Sequence, residues 1–324
     1  MKRLSIIILY ALLSLGAVAA SFSLLALTSG SAYAHDTDVD SDSDGSGDSR
    51  SVNETRSAKP DAEIRIDNLA GTVKIKAWDK NQVSISGTLG EEVERLEITG
   101  DENDVEIRVV LPHHTDGGDG DSSADLEIYV PAASHVEVSS VSADVEAQGL
   151  TGQAQASTVS GNVTFDTSAS RIEAKSTSGD VTVTGSAKDA HITANSISGT
   201  VRIMHVAGSL DAESVSGDVE VSDSALTNVQ MTSTSGNLTF RGALQRGGEY
   251  EFNNVSGDLT LAVGASADAR FDISSFSGDI DNSFGPRPTR VSKYSPGVEL
   301  HFTNGSGSAQ VSARSLSGDV HLQN

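Results

Sequence analysis

A four-residue sequence of the type Val-Ser-Gly-Asp recurs through the second half of the chain at a nearly constant spacing. Its glycines lie 18, 20, 18, 19, 21, 21 and 40 residues apart, and the last gap equals two periods. A period near 20 residues indicates a stacked repeat architecture, in which each unit contacts its neighbours. The repeat glycines are Gly161, Gly179, Gly199, Gly217, Gly236, Gly257, Gly278 and Gly318, and Gly71 stands in an equivalent first turn.

Apolar residues alternate with polar ones on both sides of each repeat glycine. Leu210 and Ala212 precede Gly217 by seven and five residues, and Val219 and Val221 follow it by two and four. This alternation predicts two short strands joined by a turn. One such unit buries too little to be stable alone, so we expect an all-β, parallel β-solenoid (β-helix) with rungs of 18–21 residues.

The composition of the repeat turn suggests how it is built. Glycine adopts a left-handed or otherwise strained conformation without a Cβ penalty, and we expect the repeat glycines to use that freedom. The Asp or Asn that follows is expected to accept hydrogen bonds from turn amides, as Asx residues commonly do.

The first 34 residues have the pattern of a secretory signal peptide. Lys2 and Arg3 precede an apolar run from Leu4 to Leu27, and Ala32-Tyr33-Ala34 is a small-x-small cleavage site. Cleavage there predicts a periplasmic or extracellular protein. The apolar run is long enough to cross a bilayer, so an uncleaved N-terminal membrane anchor is the alternative.

Residues 35–60 read as an acidic, disordered linker, because Asp, Ser, Gly and Thr cannot bury a core. Asp40, Asp42, Asp44 and Gly45 match the first half of a calcium-binding loop. The twelfth position is Ser51, where such loops need a bidentate Glu. We therefore interpret this segment as a solvated tether.

The sequence of residues 61–135 predicts an N-terminal β region, made of one regular rung and of degenerate rungs that cap the solenoid. We expect Trp78 to pack against this cap. Residues 136–324 predict the regular repeats, with Ala143 where the first glycine belongs. Val298, Leu300 and Phe302 look like the rung missing from the 40-residue gap. The last rung ends at Leu322 and would leave an edge strand free for edge-to-edge self-association.

The chain carries a formal net charge of −23 and has no cysteine. An acidic surface of this kind repels nucleic acid and anionic lipid, and favours cations as partners. Disulfide staples are excluded, which a long solenoid core does not require.

Catalytic motifs are missing from the sequence: it has no G-x-S-x-G, H-E-x-x-H, Walker loop or C-x-x-C. We predict no catalytic residues and no cofactor. A column of turn residues could be read as a cation-binding or polysaccharide-cleaving ladder, but each member stands in a turn-forming position and a structural role is favoured. The column comprises Asp180, Asp218, Asp258, Asp279 and Asp319, interleaved with Asn162 and Asn237.

One loop combines residue types that bind metals. His113, His114, Asp116, Asp119 and Asp121 lie close together in a Gly-rich stretch. Adjacent histidines on such a loop have no enforced geometry, so this cluster is a weak metal-site candidate and adventitious binding is the favoured interpretation.

The sequence resembles the bacterial putative-adhesin family of β-strand-repeat proteins, most of which have no known function. The resemblance covers about Ala62 to Leu322 and rests on three features: Asn68-Leu69-Ala70-Gly71-Thr72-Val73 with Ala77-Trp78-Asp79, Leu126-Glu127-Ile128-Tyr129-Val130-Pro131, and the repeated Ser-Gly-Asp/Asn rungs. It implies a secreted or envelope β-solenoid with no active site to carry over.

Together these features predict an exported, non-enzymatic module of the cell envelope that binds or adheres through its long faces to an unknown envelope or surface partner. The alternatives are a structural scaffold or an envelope-stress regulatory partner that assembles through solenoid edges. A carbohydrate-active enzyme that uses the Asp column is the least favoured.

Overall fold

A computed structural model of the chain describes residues 49–112, 121–185, 187–292 and 296–324. These residues form 25 strands: β1 Arg50–Ser57, β2 Glu63–Trp78, β3 Gln82–Leu89, β4 Arg95–Gly100, β5 Asp104–Val110, β6 Ala124–Pro131, β7 His135–Gln148, β8 Gln153–Thr158, β9 Val163–Thr167, β10 Arg171–Ser176, β11 Val181–Gly185, β12 Ala190–Ser196, β13 Val201–Met204, β14 Ala207–Ser214, β15 Val219–Ser222, β16 Ala225–Ser233, β17 Leu238–Arg241, β18 Glu249–Ser256, β19 Leu259–Ala262, β20 Ala269–Ser275, β21 Ile280–Asn282, β22 Thr289–Arg290, β23 Val298–Asn304, β24 Ala309–Ser317 and β25 Val320–Gln323. Within the described ranges, no helix is long and apolar enough to cross a membrane.

The strands form a two-sided parallel β-solenoid, as the repeat predicts. In each regular rung the strand before the repeat turn joins a first sheet, in the order β8, β10, β12, β14, β16 and β18. The strand after the turn joins a second sheet, in the order β9, β11, β13, β15, β17 and β19. Strands β2 and β7 run without a break through both sheets and pair with each other along their whole length.

The core lies between the two sheets and consists of the alternating apolar columns. The register keeps each column aligned, so that Ile172, Ile192 and Leu210 stack from rung to rung. Their side chains are buried, as are those of Phe165 and Phe240 on the second sheet. Because a period of two sends successive side chains to opposite faces, the residues between them point outward.

The N-terminal rungs are irregular, and they cap one end of the solenoid as expected. Strands β5 and β6 together form a rung beside β2, interrupted by the segment between them. Antiparallel strands β4 and β3 then cover β5 and β6 respectively. Trp78 lies in this cap, where its ring contacts Tyr129 at 5.2 Å and its Nε1 donates a hydrogen bond to the Gln82 carbonyl at 2.8 Å.

The predicted linker ends earlier than residue 60, because Arg50–Ser57 is strand β1, antiparallel to β3. The side chains of β1 are almost all exposed, so no apolar alternation marks it as a strand. It is held by backbone pairing along the free edge of β3. Ser51, the twelfth position of the calcium-loop pattern, lies within this strand, while Asp40, Asp42, Asp44 and Gly45 lie outside the described residues.

The C-terminal rung does not end the stack, and this corrects the prediction of a free final edge. Strand β24 pairs in parallel with β18 on one side and with β20 on the other. Strand β25 lies in the same way between β19 and β21. The last rung of the chain is therefore inserted between the two rungs that precede it in sequence, and it offers no free edge for self-association.

The segment predicted to be the missing rung is an antiparallel cap instead. Strand β23 pairs antiparallel with β20 and with the short β22. Phe302 of β23 stacks on Phe271 of β20 with ring centroids 4.7 Å apart, and Phe284 packs against both rings. The turn at Asn304–Gly307 then returns the chain to β24. Asp268 fixes this turn by accepting hydrogen bonds from the Ser306 hydroxyl and the Gly307 amide, each at 2.7 Å.

Candidate binding surfaces

Most repeat positions need glycine because successive turns stack closely and leave no room for a side chain. Few of them need it for a left-handed backbone conformation. Gly71 and Gly257 have φ angles of 103° and 121°, and Gly318 also has a positive φ. The left-handed alternative is wrong for the other repeat glycines, whose φ angles lie outside that region: Gly161, Gly179, Gly199, Gly217, Gly236 and Gly278.

A Cβ on most repeat glycines would lie closer than 3.0 Å to the carbonyl oxygen of the matching residue in the adjacent rung. For Gly199 that oxygen belongs to Gly179, and for Gly217 it belongs to Gly199. Ala143, the residue of β7 at the glycine position, is paired with Gly71 of β2 and is buried. The requirement for glycine therefore comes from the neighbouring turn.

A buried row of hydroxyl side chains stands three residues before the repeat glycines. Ser196 is typical: its hydroxyl accepts a hydrogen bond from the Gly199 amide at 2.9 Å and donates one to the Gly179 carbonyl at 3.0 Å. Ser176 makes the same two bonds. Sequence reasoning missed this row, although the sequence contains its signal, since every repeat has Ser, Thr or Asn at that position.

The Asp and Asn column links successive turns. Except at Asp279, the Oδ1 atom of each member accepts a hydrogen bond from the backbone amide of its counterpart in the next rung, for example Asn162 from Asp180 at 2.9 Å and Asp218 from Asn237 at 2.8 Å. Asp258 accepts likewise from Asp319, and Asp319 from Asp279. These bonds give the column the structural role that the sequence favours, and they leave its second carboxylate oxygens on the surface.

Most of the candidate metal cluster lies outside the described residues, namely His113, His114, Asp116 and Asp119. Asp121 is described, and its carboxylate accepts a hydrogen bond from the Ser123 amide at 2.9 Å. Hydrogen bonds from Ser123 hold the pKa of this carboxyl below its usual value. In the part of the chain that the structure describes, no group of three or more His, Cys, Asp or Glu side chains could hold a metal ion.

A shallow groove of about 740 Å³ crosses the outer face of the first sheet. It runs over six neighbouring strands, from β12 through β14, β16, β18 and β24 to β20. Sequence reasoning missed it, because outward positions vary from rung to rung and β24 stands out of sequence order. Its lining side chains are mainly amides, carboxylates and guanidinium groups: Asn228, Gln230, Gln310, Asp211, Glu249, Glu251, Asp272, Arg270 and Arg314.

Two polar atoms in this groove are buried without a hydrogen-bond partner in the described structure, Asp211 Oδ1 and Ser312 Oγ. Burial raises the pKa of the Asp211 carboxyl, and the nearby His191 opposes that shift. The His191 ring is itself oriented, since its Nδ1 lies 2.8 Å from the Ser209 hydroxyl. The groove therefore contains hydrogen-bonding capacity that the protein does not use internally.

The fold and its turns define a two-sided β-solenoid of stacked rungs, joined by turn-to-turn hydrogen bonds and capped at both ends by antiparallel strands. The chain belongs to the Toastrack DUF4097 family, which matches residues 62–246 and 242–323. This membership confirms the family resemblance that the sequence features indicate.

Several solved structures are similar to this chain. A putative adhesin from Bacteroides fragilis is 12% identical with a TM-score of 0.44, over 84% of this chain and 97% of that one. A putative lipid binding protein from Parabacteroides distasonis is 12% identical with a TM-score of 0.43, over 86% and 98%. A putative cell adhesion protein from Clostridium sporogenes is 9% identical with a TM-score of 0.30, over 85% and 99%. No curated protein matches the sequence.

Proposed function

We propose that this protein is an exported, non-enzymatic binding module of the cell envelope, and that it holds an extended polar ligand in the groove of its first sheet. The observation that carries this proposal is the polar lining of the groove, where amide, carboxylate and guanidinium side chains of six neighbouring strands lie side by side. Such groups donate and accept hydrogen bonds at their exposed ends, so a ligand with matching polar groups would bind there.

The chemistry of the groove favours a ligand rich in hydroxyl groups, such as a surface polysaccharide. Gln230 and Gln310 each present an amide that both donates and accepts hydrogen bonds. Glu251 and Arg314 add a carboxylate and a guanidinium group, 3.3 Å apart. The groove runs along the stacking direction across six strands, which suits a linear polymer more than a compact molecule.

Titration calorimetry with polysaccharide prepared from the host surface tests the groove. The triple variant N228A/Q230A/Q310A should weaken binding on the order of tenfold or more, because it removes three pairs of donors and acceptors. A matched variant of the second sheet, T164A/T182A/T239A, should bind like the unmodified protein. Equal loss in both variants would contradict the assignment to the groove, and new reducing ends in the polysaccharide would contradict a non-enzymatic role.

Export is tested separately, by fractionating the native host and sequencing the N-terminus of the recovered protein. We expect soluble periplasmic or secreted protein that begins at His35, because the cleavage pattern ends at Ala34. Recovery in membranes with Lys2 retained would instead support the N-terminal anchor, and would favour a tethered scaffold or regulatory partner over a free adhesion module.

A further inference from the structure

The turn edge of the solenoid carries a line of half-buried and exposed apolar side chains, interrupted by Thr177 and Thr234 and here called the turn stripe. It is formed by the residue two positions before the repeat glycine: Val141, Val159, Ile197, Val215, Val255 and Leu316. Leu69 and Phe276 extend it at the two ends and are 37% and 54% exposed. Backbone hydrogen bonds join successive turns, as from the Ser216 amide to the Ile197 carbonyl at 2.8 Å. The apolar side chains are therefore stacked in register.

A second line runs beside the turn stripe, three residues further along each turn. It consists of the carboxylates Asp144, Asp180, Asp218, Asp258, Asp319 and Asp279, of which Asp218 is half-buried and the rest are exposed, here called the carboxylate row. Each four-residue turn is free of Lys and Arg in the sequence, and among the residues that the structure describes the one ion pair to this row is between Asp180 and Arg202, 3.6 Å apart. Three residues of extended chain place the two lines within about 10 Å of each other.

We propose that the turn edge binds a cationic amphipathic helix, which lays apolar side chains on the turn stripe and lysine or arginine side chains on the carboxylate row. An α-helix about 10 Å in diameter covers both lines at once. Rungs repeat every 4.8 Å or so, so 18 helical residues, about 27 Å long, span between five and six rungs. This surface is distinct from the groove, and the inference does not depend on the polysaccharide proposal.

Charge complementarity selects this occupant over two others. A second copy of the chain would bring its own carboxylate row, and two chains that each carry a formal charge of −23 repel one another. An anionic lipid surface would be repelled by the same carboxylates. A basic amphipathic helix makes favourable contacts with both the turn stripe and the carboxylate row, because its apolar and its charged side chains lie on adjacent faces of the helix.

The binding test uses a fluorescent 18-residue peptide of Leu and Lys with leucines at helical spacing, measured by anisotropy against the full chain in 150 mM salt. A scrambled peptide of identical composition is the first control. We expect the helical peptide to bind on the order of tenfold more tightly than the scrambled one, because only the helix aligns its leucines on the stripe. Equal binding of the two peptides would overturn the proposal.

The protein variants are chosen so that the turns retain their bonds. In V159T/I197T/V215T the stripe loses apolar surface, and threonine already occupies this column at Thr177 and Thr234. In D180N/D218N/D258N the row loses charge, while asparagine keeps the Oδ1 acceptor that Asn162 and Asn237 provide naturally.

We expect each variant to weaken helix binding about tenfold, and we expect the asparagine variant to lose most of its salt dependence. A control that removes three exposed carboxylates away from the turn edge, E91Q/E102Q/D166N, should bind nearly as tightly as the unmodified protein.

Unchanged binding by the stripe variant, or equal weakening by the control, would overturn the proposal. Sedimentation of the protein alone and with neutral lipid vesicles distinguishes the other occupants. Dimers or vesicle binding that disappear in V159T/I197T/V215T would assign the stripe to a second copy or to lipid instead.

Discussion

Each repeat glycine is constrained by the matching residue of an adjacent rung, which in most rungs lies about 20 positions earlier in the chain. In Gly199→Ala the new methyl group would meet the carbonyl oxygen of Gly179 at less than 3.0 Å, and a backbone atom cannot move aside as a side chain can. We expect this substitution to lower the free energy of unfolding by about 2 kcal/mol or more. Urea denaturation measures the loss.

Gly242→Ala is the matched comparison, because its nearest atom, the Ser224 carbonyl oxygen, would lie 3.2 Å from the new Cβ. Gly242→Ala should lower the free energy of unfolding clearly less than Gly199→Ala does. If the two variants unfolded at the same urea concentration, close stacking of the turns would not explain the glycine column.

Asp211 is expected to make stability depend on pH. Burial raises its pKa in the folded protein, so above that pKa a charged carboxylate is held in a poorly solvated place, and folding is penalised. The penalty disappears as the pH falls through the raised pKa. Asp211→Asn should therefore raise the free energy of unfolding at pH 7, and its advantage should shrink on acidification. Thermal melts between pH 4 and pH 8 test this, with exposed Asp166→Asn as the control.

The buried serine row contributes hydrogen bonds to most of the repeat turns, and Ser196 contributes a pair. Ser196→Ala would leave the Gly199 amide and the Gly179 carbonyl without these partners inside the core, at an expected cost of about 1–3 kcal/mol. Ser198→Ala changes the exposed serine of the same turn and should have almost no effect. Chemical denaturation of both variants provides the comparison, and equal stabilities would show that the row does not support the turns.

Period-two alternation predicts the strands of the regular rungs, because every rung buries the same columns. It does not reveal β1, whose side chains are almost all exposed and which is held at the sheet edge by backbone pairing with β3 and by hydrogen bonds from Arg50 to the Val93 and Glu94 carbonyls. It also cannot give the direction of β23, since Leu300 and Phe302 alternate as a rung would. The groove depends on which strands are neighbours, so it was equally out of reach of the pattern.

The order of the rungs in the whole molecule is the feature that the sequence determines least. The apolar residues of β18, β20 and β24 have the same period-two spacing, so the spacing does not dictate which rung follows which. A stack in which the rungs follow their order in the sequence was therefore the natural expectation. The rung order departs from the sequence order because the chain after β21 forms the antiparallel cap and then returns through the turn held by Asp268.

Engineered cysteine pairs test this order in a chain that has no cysteine of its own. Ser312 of β24 stands directly beside Glu251 of β18 and beside Asp272 of β20. The pairs E251C/S312C and D272C/S312C are therefore about 5 Å apart and should form disulfides, whereas E251C/D272C spans two rungs, about 10 Å, and should not. Stacking in sequence order predicts the reverse for the first and third pairs. Mass spectrometry of the oxidised variants thus reads the rung order directly, and an E251C/D272C crosslink would place the C-terminal rung at the end of the stack with its edge free.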